Sequence, residues 1–312
     1  MLTNVTVAEL PLIPVPAAPP GSRYRQVTVD RHAGPCGAVI SGVDLAADLD
    51  DAVIAEVRRA VLDHGVVFFR GQSLAPEQQV AFSRRFGPYS PVPFIEPVAA
   101  HPEVIAVVRE ATEQQGFAFG GLWHSDFSFL AEPPMGSILH ALEVPPFGGD
   151  TIWASQYAAL ETLSAGFRNT LCGLSAVHSA RDAYSPKMQA VHDLFVGMTV
   201  HTSDEANRVQ QHPAVRIHAE SGREALFVNQ QYTIGFDGWA PHEAQLLLGH
   251  LFLHSTQPSF TCRWQWQRGD VAFWDNRCVQ HMAMGDVSGH RRVMHRTTVA
   301  GEAPLSAVSL PS

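Results

Sequence analysis

The stretch T-C-R-W-Q-W-Q-R-G-D-V-A-F-W, residues 261–274, decides the fold class, because strict alternation leads into a turn and then an apolar run. Cys262, Trp264 and Trp266 fall on one face and Arg263, Gln265 and Gln267 on the other, the period of a half-buried β-strand. Arg268–Gly269–Asp270 reads as the turn and Val271–Trp274 as the partner strand. Outward from this segment, Ile138–Val144 and Arg292–Val299 also alternate, and Ala214–Val228 reads as a hairpin closed at Ser221–Gly222.

Helical periods are fewer. Val53, Ile54, Val57, Val61 and Leu62 recur at helical spacing over Asp51–His64, with Gly65 as the stop and the strand-like run Val66–Phe69 behind it. Pro76–Phe86 fits a second helix, with Pro76 at its first position and Gly87 past its end. Ser155–Gly173 reads as one or two helices N-capped by Ser155 and Ser164. Pro241–His254 is a further helix, with Leu246, Leu247, Leu251 and Phe252 assigned to one side. The class is α+β, mainly β, without repeated βαβ units or Gly-rich phosphate loops.

A chain of 312 residues fits one elaborated domain. The divisions expected are a flexible arm at 1–22, a single domain over 23–303 with a lid-like insertion at 181–212, and a tail at 304–312. The Pro/Ala-rich arm is available for a homo-oligomer contact. A formal charge of −9, with no basic cluster denser than Arg291, Arg292 and Arg296, excludes a nucleic-acid surface. Cys36, Cys172, Cys262 and Cys278 form no C-x-x-C pair and read as reduced thiols. No apolar run nears the roughly 20 residues of a membrane span, and no signal segment opens the chain. The expected location is the cytoplasm.

In W-H-S-D-F, residues 123–127, His124 and Asp126 lie two apart, and in a strand both would face the same way. A His–Asp hydrogen bond would satisfy that spacing as well as a metal would. Two histidines and one carboxylate with open positions are the ligand set of iron(II) sites that activate O2. Among the other histidines, His281 is best placed, just after Val271–Trp274 and the turn-like Asp275–Asn276. His140, His178, His201, His218 and His290 lack a context converging on His124. On Arg292–Val299, Arg292 and Arg296 share a face about 13 Å apart along the backbone, suited to gripping the ends of a site for a dicarboxylate. Solvent exposure with surface acids as partners is the other reading of that pair.

W-H-S-D-F at 123–127, G-G-D-T at 148–151, W-D-N-R-x-x-Q-H at 274–281 and R-R-x-M-H-R-T-T at 291–298 together resemble the taurine and phenoxyalkanoate dioxygenase family. V-F-F-R-G-Q at 67–72, F-S-R-R-F-G at 82–87, H-P-A-V-R-I-H at 212–218 and A-L-F-V-N at 225–229 follow in the family's order, so the resemblance spans residues 25–303. It implies a double-stranded β-helix, or jelly roll, flanked by helices. It also implies Fe(II) on His124, Asp126 and His281, with 2-oxoglutarate as cofactor and O2 as co-substrate. Thr151 and Arg292 would hold the distal carboxylate of 2-oxoglutarate, and Arg296 would lie near its iron-side carboxylate and the substrate's acid group.

Related halogenases carry a small residue in place of the carboxylate ligand, so Asp126 favours hydroxylation. The implied activity is hydroxylation of a small anionic substrate, an aryloxyalkanoate, alkyl sulfonate or sulfate ester, with release of succinate and CO2. Taurine-cleaving members carry a histidine and an asparagine where Val92 and Gly120 stand. With Phe127 and Phe129 beside the H-x-D motif, those two positions suggest an apolar substrate pocket. A zinc hydrolase leaves Thr151 and both arginines unexplained, and a non-catalytic 2-oxoglutarate sensor would not require an intact ligand set.

Overall fold

The computed structural model describes residues 24–113 and 116–307; the arm expected at 1–22 lies outside them, as does the tail beyond residue 307. The chain opens with β1 (Thr28–Arg31), β2 (Ala38–Ser41), α1 (Asp51–His64), β3 (Val66–Phe69) and α2 (Pro76–Arg84). Next come β4 (Ile105–Arg109), β5 (Gly136–Glu143), β6 (Thr151–Ser155), α3 (Gln156–Glu161) and α4 (Ala165–Cys172). The middle holds β7 (Ser175–Ser179), α5 (Arg181–Tyr184), α6 (Gln189–His192), β8 (Val209–Pro213), β9 (Val215–Ile217), β10 (Glu224–Leu226) and β11 (Thr233–Phe236). After α7 (Pro241–Ser255) the chain closes with β12 (Thr261–Trp264), β13 (Val271–Asp275), β14 (Val279–Ala283), β15 (Arg292–Val299) and β16 (Leu305–Ser306).

A seven-stranded sheet in the order β1-β2-β3-β13-β5-β15-β4 faces a three-stranded sheet β12-β6-β14; two further three-stranded sheets, β11-β7-β8 and β10-β9-β16, extend the molecule. Alternation explains the layers. On β13, Ala272 and Trp274 point between the two sheets, joining Phe68, Leu139 and Met294 of the large sheet and Trp153, Trp264 and Val279 of the small one. Val271 and Phe273 point the other way, into the layer formed by α1 and α2 with Ile54, Val57, Val61 and Phe82. A central strand buried on both faces is apolar throughout, as Val66–Phe69 is. This is the expected jelly roll flanked by helices.

The segment 261–274 departs from the expected strand pair. β12 pairs with β6 and β13 with β3 and β5, so the turn carries the chain from one sheet to the other. The Asp270 carboxylate makes that corner, accepting from the Gln267 N–H at 2.7 Å and the Trp264 indole N–H at 3.2 Å. Both halves keep their expected inward faces, because both pack into the same inter-sheet core. The hairpin at Ser221–Gly222 forms as read, between β9 and β10. Ser155 and Ser164 accept at 3.3 Å from the N–H groups of Ala158 and Phe167, splitting the predicted helical stretch in two.

Two helices differ in detail: α2 stops at Arg84, and α7 buries Ala244, Leu248, Leu251 and Ser255 while Leu246 is exposed. Leu251 is buried and Leu247 and Phe252 pack against the same core, so of the four expected residues only Leu246 falls on the solvent side. In the region expected to leave the domain after 303, Leu305–Ser306 pairs with β9. The region 181–212 is built of short helical turns and β8 rather than irregular loop.

Candidate metal and cofactor site

The H-x-D segment is not a strand. His124 and His281 form an isolated antiparallel bridge, each N–H donating to the other's carbonyl at 3.0 and 2.8 Å. Beyond it the chain turns, with Phe127 in the left-handed region at φ 49°. His281 itself lies within β14, whose other edge partner is β6. The two imidazole centroids stand 4.2 Å apart, and Asp126 Oδ1 lies 3.7 Å from His124 Nε2 and 3.9 Å from His281 Nε2. One ligand atom from each of the three lies within 4.8 Å of the others, and all three residues are buried.

The surrounding bonds aim these atoms inward. His124 Nδ1 lies 2.7 Å from the Leu122 carbonyl, which sets the tautomer and leaves the Nε2 lone pair free. The Ser137 hydroxyl donates to Asp126 Oδ2 at 2.7 Å, and Asn276 Oδ1 accepts from the Asp126 N–H at 3.2 Å while accepting from the Trp274 indole N–H at 2.9 Å. Burial pushes the Asp126 carboxyl up, yet the Arg296 guanidinium, both imidazoles and Ser137 overcome it and hold it at about 2. Burial lowers both histidines, His281 to about 3 with His124 adding to the effect. Near neutral pH the cluster is one carboxylate and two neutral imidazoles, the protonation state a divalent metal requires.

Beside it lies a chamber lined by Gly120, Thr151, Trp274, Ala283, Arg292 and Arg296, among others. Thr151 comes from the small sheet, placed by G-G-D-T: Gly148 and Gly149 both sit at φ 67°, and the Gly149 N–H donates to Asp286 Oδ1 at 2.8 Å. Arg292 and Arg296 come from the large sheet and are buried, facing inward rather than toward solvent. Arg296 Nη1 reaches Asp126 Oδ1 at 3.3 Å, while its Nε and Nη2 have no hydrogen-bond partner. Arg292 makes no ion pair with any described residue, its Nε is unpartnered, and burial lowers its pKa to about 10. Buried guanidinium groups without partners are costly unless an anion completes them. The metal and a dicarboxylate therefore fit the residues present.

Over the cluster opens a cavity of about 320 Å³, walled by Phe117, Phe119, Leu122, Phe127, Met188, Val191, Phe195, Tyr184 and Tyr232, with Arg296 and Asp126 at its base. Gly120 lines both spaces, and a Cβ there would meet His124 Cε1 at 3.4 Å. Phe127 packs its ring 5.2 Å from the Arg296 guanidinium carbon. Val92 lines a separate hollow with Ser90, Pro91, Pro93 and Leu130 instead, just before the turn at Pro93–Phe94. The other histidines are used elsewhere: His218 Nε2 lies 2.9 Å from Asp275 Oδ2, and His178 Nδ1 lies 3.0 Å from Ser128 Oγ. Sequence reasoning missed Tyr184, Tyr232 and Phe195, which reach the cavity from segments with no steady period.

A jelly roll that brings two histidines and an aspartate to one point, with a buried Arg292 that has no ion pair among the described residues beside them, defines a 2-His-1-carboxylate enzyme of the iron(II) oxygenase type. Residues 28–298 match the family described as taurine catabolism dioxygenase TauD, TfdA family, and the chain belongs to it. It is thereby a 2-oxoglutarate-dependent dioxygenase. An alkylsulfatase of Acinetobacter baylyi is 35% identical over 292 residues, 92% of this chain and 89% of that protein. An alpha-ketoglutarate-dependent sulfate ester dioxygenase of Pseudomonas putida is 35% identical over 294 residues, 90% and 91% of the two chains. The crystal structure of a taurine dioxygenase from Burkholderia xenovorans superposes with a TM-score of 0.77 at 35% identity, covering 92% of this chain and 95% of that one.

Proposed function

We propose that the enzyme hydroxylates an organic anion with a sizeable apolar body, a sulfate ester above all. His124, Asp126 and His281 hold the iron, Thr151 and Arg292 the distal carboxylate of 2-oxoglutarate, and Arg296 the substrate's anionic group. The observation that carries the cofactor assignment is Arg292, a buried guanidinium with no ion pair among the described residues, next to a His-Asp-His cluster. When bound, iron and 2-oxoglutarate supply the oxidising power for hydroxylation by activating O2, with succinate and CO2 as co-products.

The chain's own residues bind, orient and exclude water. Ser137 occupies Asp126 Oδ2 and so presents Oδ1 toward both imidazoles. Arg296 spends Nη1 on Asp126 and keeps Nη2 and Nε for an anion at the base of the cavity. The aromatic wall above Arg296 leaves room for a hydrophobic body and little for water. The segment 181–212, which contributes Tyr184, Met188, Val191 and Phe195 to that wall, serves as the lid. If the hydroxylated carbon carries the ester oxygen, the product separates into an aldehyde and free sulfate. Free, mostly buried cysteines support a reducing compartment, the cytoplasm.

The sulfate ester reading rests on this apolar cavity above a single arginine and on the two organosulfate-processing relatives. Succinate release from hexyl sulfate, decyl sulfate, a phenoxyalkanoate and taurine tests it, together with the weak visible band of the iron(II)–2-oxoglutarate chelate under anaerobic conditions. Highest turnover on an alkyl sulfate is expected. Taurine as best substrate would overturn the pocket reading, and absence of both band and succinate would overturn the cofactor assignment.

A further inference from the structure

One buried hydrogen bond behind the cofactor chamber has no part in the roles assigned so far. The Trp266 indole N–H donates to the Thr151 hydroxyl oxygen at 3.0 Å. Both residues are almost wholly buried, Trp266 at 5% and Thr151 at 2% exposure. Trp266 is the last inward residue of the 261–267 alternation, beyond the end of β12, and Thr151 is the first residue of the neighbouring β6. The same indole lies 6.0 Å beneath the Arg292 guanidinium carbon. Trp266 therefore bonds one of the two side chains assigned to the distal carboxylate and faces the other, while the chamber lining includes Thr151 and Arg292 but not Trp266.

A threonine hydroxyl has one proton and two lone pairs, and its proton turns to suit its partners. An indole N–H can only donate. With one lone pair of Thr151 taken by Trp266, the hydroxyl proton is free to point away from the indole. Among the described residues no side-chain or backbone acceptor takes it. The chamber is the open direction. We infer that Trp266 is a positioning residue for 2-oxoglutarate: by donating to Thr151 it turns the threonine from an ambiguous partner into a committed hydrogen-bond donor for the distal carboxylate. Its ring also faces the Arg292 guanidinium at 6.0 Å, so the neutral donor it orients lies beside a charged one.

This inference rests on the chamber taking 2-oxoglutarate, and the experiment separates the two. Dissociation constants are measured anaerobically on the iron-loaded full-length protein for 2-oxoglutarate and for 2-oxovalerate, which has the same keto acid head and no distal carboxylate. Intrinsic fluorescence of the metal-free protein supplies a second readout. Trp266→Phe keeps an aromatic ring and removes the N–H. The expected result is a roughly five- to tenfold weaker affinity for 2-oxoglutarate, the range of one ordinary hydrogen bond, with 2-oxovalerate unchanged. In a Thr151→Val background, where no hydroxyl remains to orient, Trp266→Phe should have no further effect on 2-oxoglutarate.

Equal weakening of both keto acids, or an undiminished effect in the Thr151→Val background, would mean that Trp266 is simply packing, and would overturn the inference. If Trp266→Phe fails to fold, benzothienylalanine at position 266 gives the same comparison, since it keeps the bicyclic shape and has no N–H. Wild-type protein that does not distinguish 2-oxoglutarate from 2-oxovalerate would remove the underlying cofactor reading instead.

Discussion

Replacing Arg292 with methionine should stabilise the ligand-free protein and abolish its response to 2-oxoglutarate. The folded chain lowers the Arg292 pKa from 12.5 to about 10, chiefly by burial, with the Asp150 carboxylate opposing. At 1.36 kcal/mol per pKa unit that is roughly 3 kcal/mol of burial cost carried at neutral pH. The sign is that of a depressed base: the unfolded chain holds the proton more tightly, so the cost is fully present at every pH well below 10. Methionine of similar length fills the space without that charge, and replacing buried charge by apolar volume is worth roughly 1–3 kcal/mol. For a domain of this size the melting temperature should rise by several degrees. Wild-type protein should gain further stability on adding 2-oxoglutarate with Mn(II), and Arg292→Met should gain none beyond the Mn(II) effect. The assay is thermal unfolding followed by circular dichroism, with and without the keto acid. A variant that melts lower than wild type and still responds to 2-oxoglutarate would refute the reasoning.

Three further outcomes are expected. Alanine at His124, Asp126 or His281 should remove substrate-coupled succinate release while leaving far-UV circular dichroism intact; full turnover in any one excludes that residue as a ligand. Burial holds His178 at about 3 and His212 at about 4, below the ordinary 6.5, so the unfolded chain takes up these protons first and stability falls with pH below about 6.5. Urea midpoints should report a loss of roughly 2 kcal/mol per histidine between pH 7 and pH 5, with a shallower slope in His178→Asn; an identical slope in the variant would contradict this. Lengthening an alkyl sulfate by one methylene should raise kcat/KM about fourfold while the chain still fits, at roughly 0.8 kcal/mol per buried methylene, and Phe195→Ala should flatten that series.

The sequence made the strands legible where alternation was strict, and the structure shows why pairing was harder to read. Cys262, Trp264 and Trp266 point inward as their period required, but a turn at Arg268–Asp270 looks the same whether it folds a strand back on its neighbour or carries it to the opposite sheet. The choice is made by Asp270 and by what Trp264 and Trp274 pack against, contacts no local window contains. The spacing of His124 and Asp126 suits strand neighbours, and they instead straddle a bridge and a turn. Their convergence with His281 is recoverable only from motif order, because His281 lies 157 positions beyond His124. Tyr184 and Tyr232 show the limit most plainly: each lies in polar, aperiodic sequence, and both end in the apolar cavity through long-range packing against Phe94 and Phe129.

The two donors proposed for the distal carboxylate rise from opposite sheets, Thr151 from β6 and Arg292 from β15. A dicarboxylate held by both would thus be a strut across the sandwich, adding to the hydrogen bond from Arg109 of β4 to the Gly285 carbonyl beyond β14. Its arrival should damp the breathing of one sheet against the other, slowing amide exchange in β6 and β15 together while leaving β1 and β2, at the far edge of the large sheet, unchanged. Cofactor loading would then do mechanical work before any chemistry, stiffening the frame that carries His281 and Arg296 on its two halves so that the proposed metal ligand and the proposed anchor of the substrate keep a fixed separation.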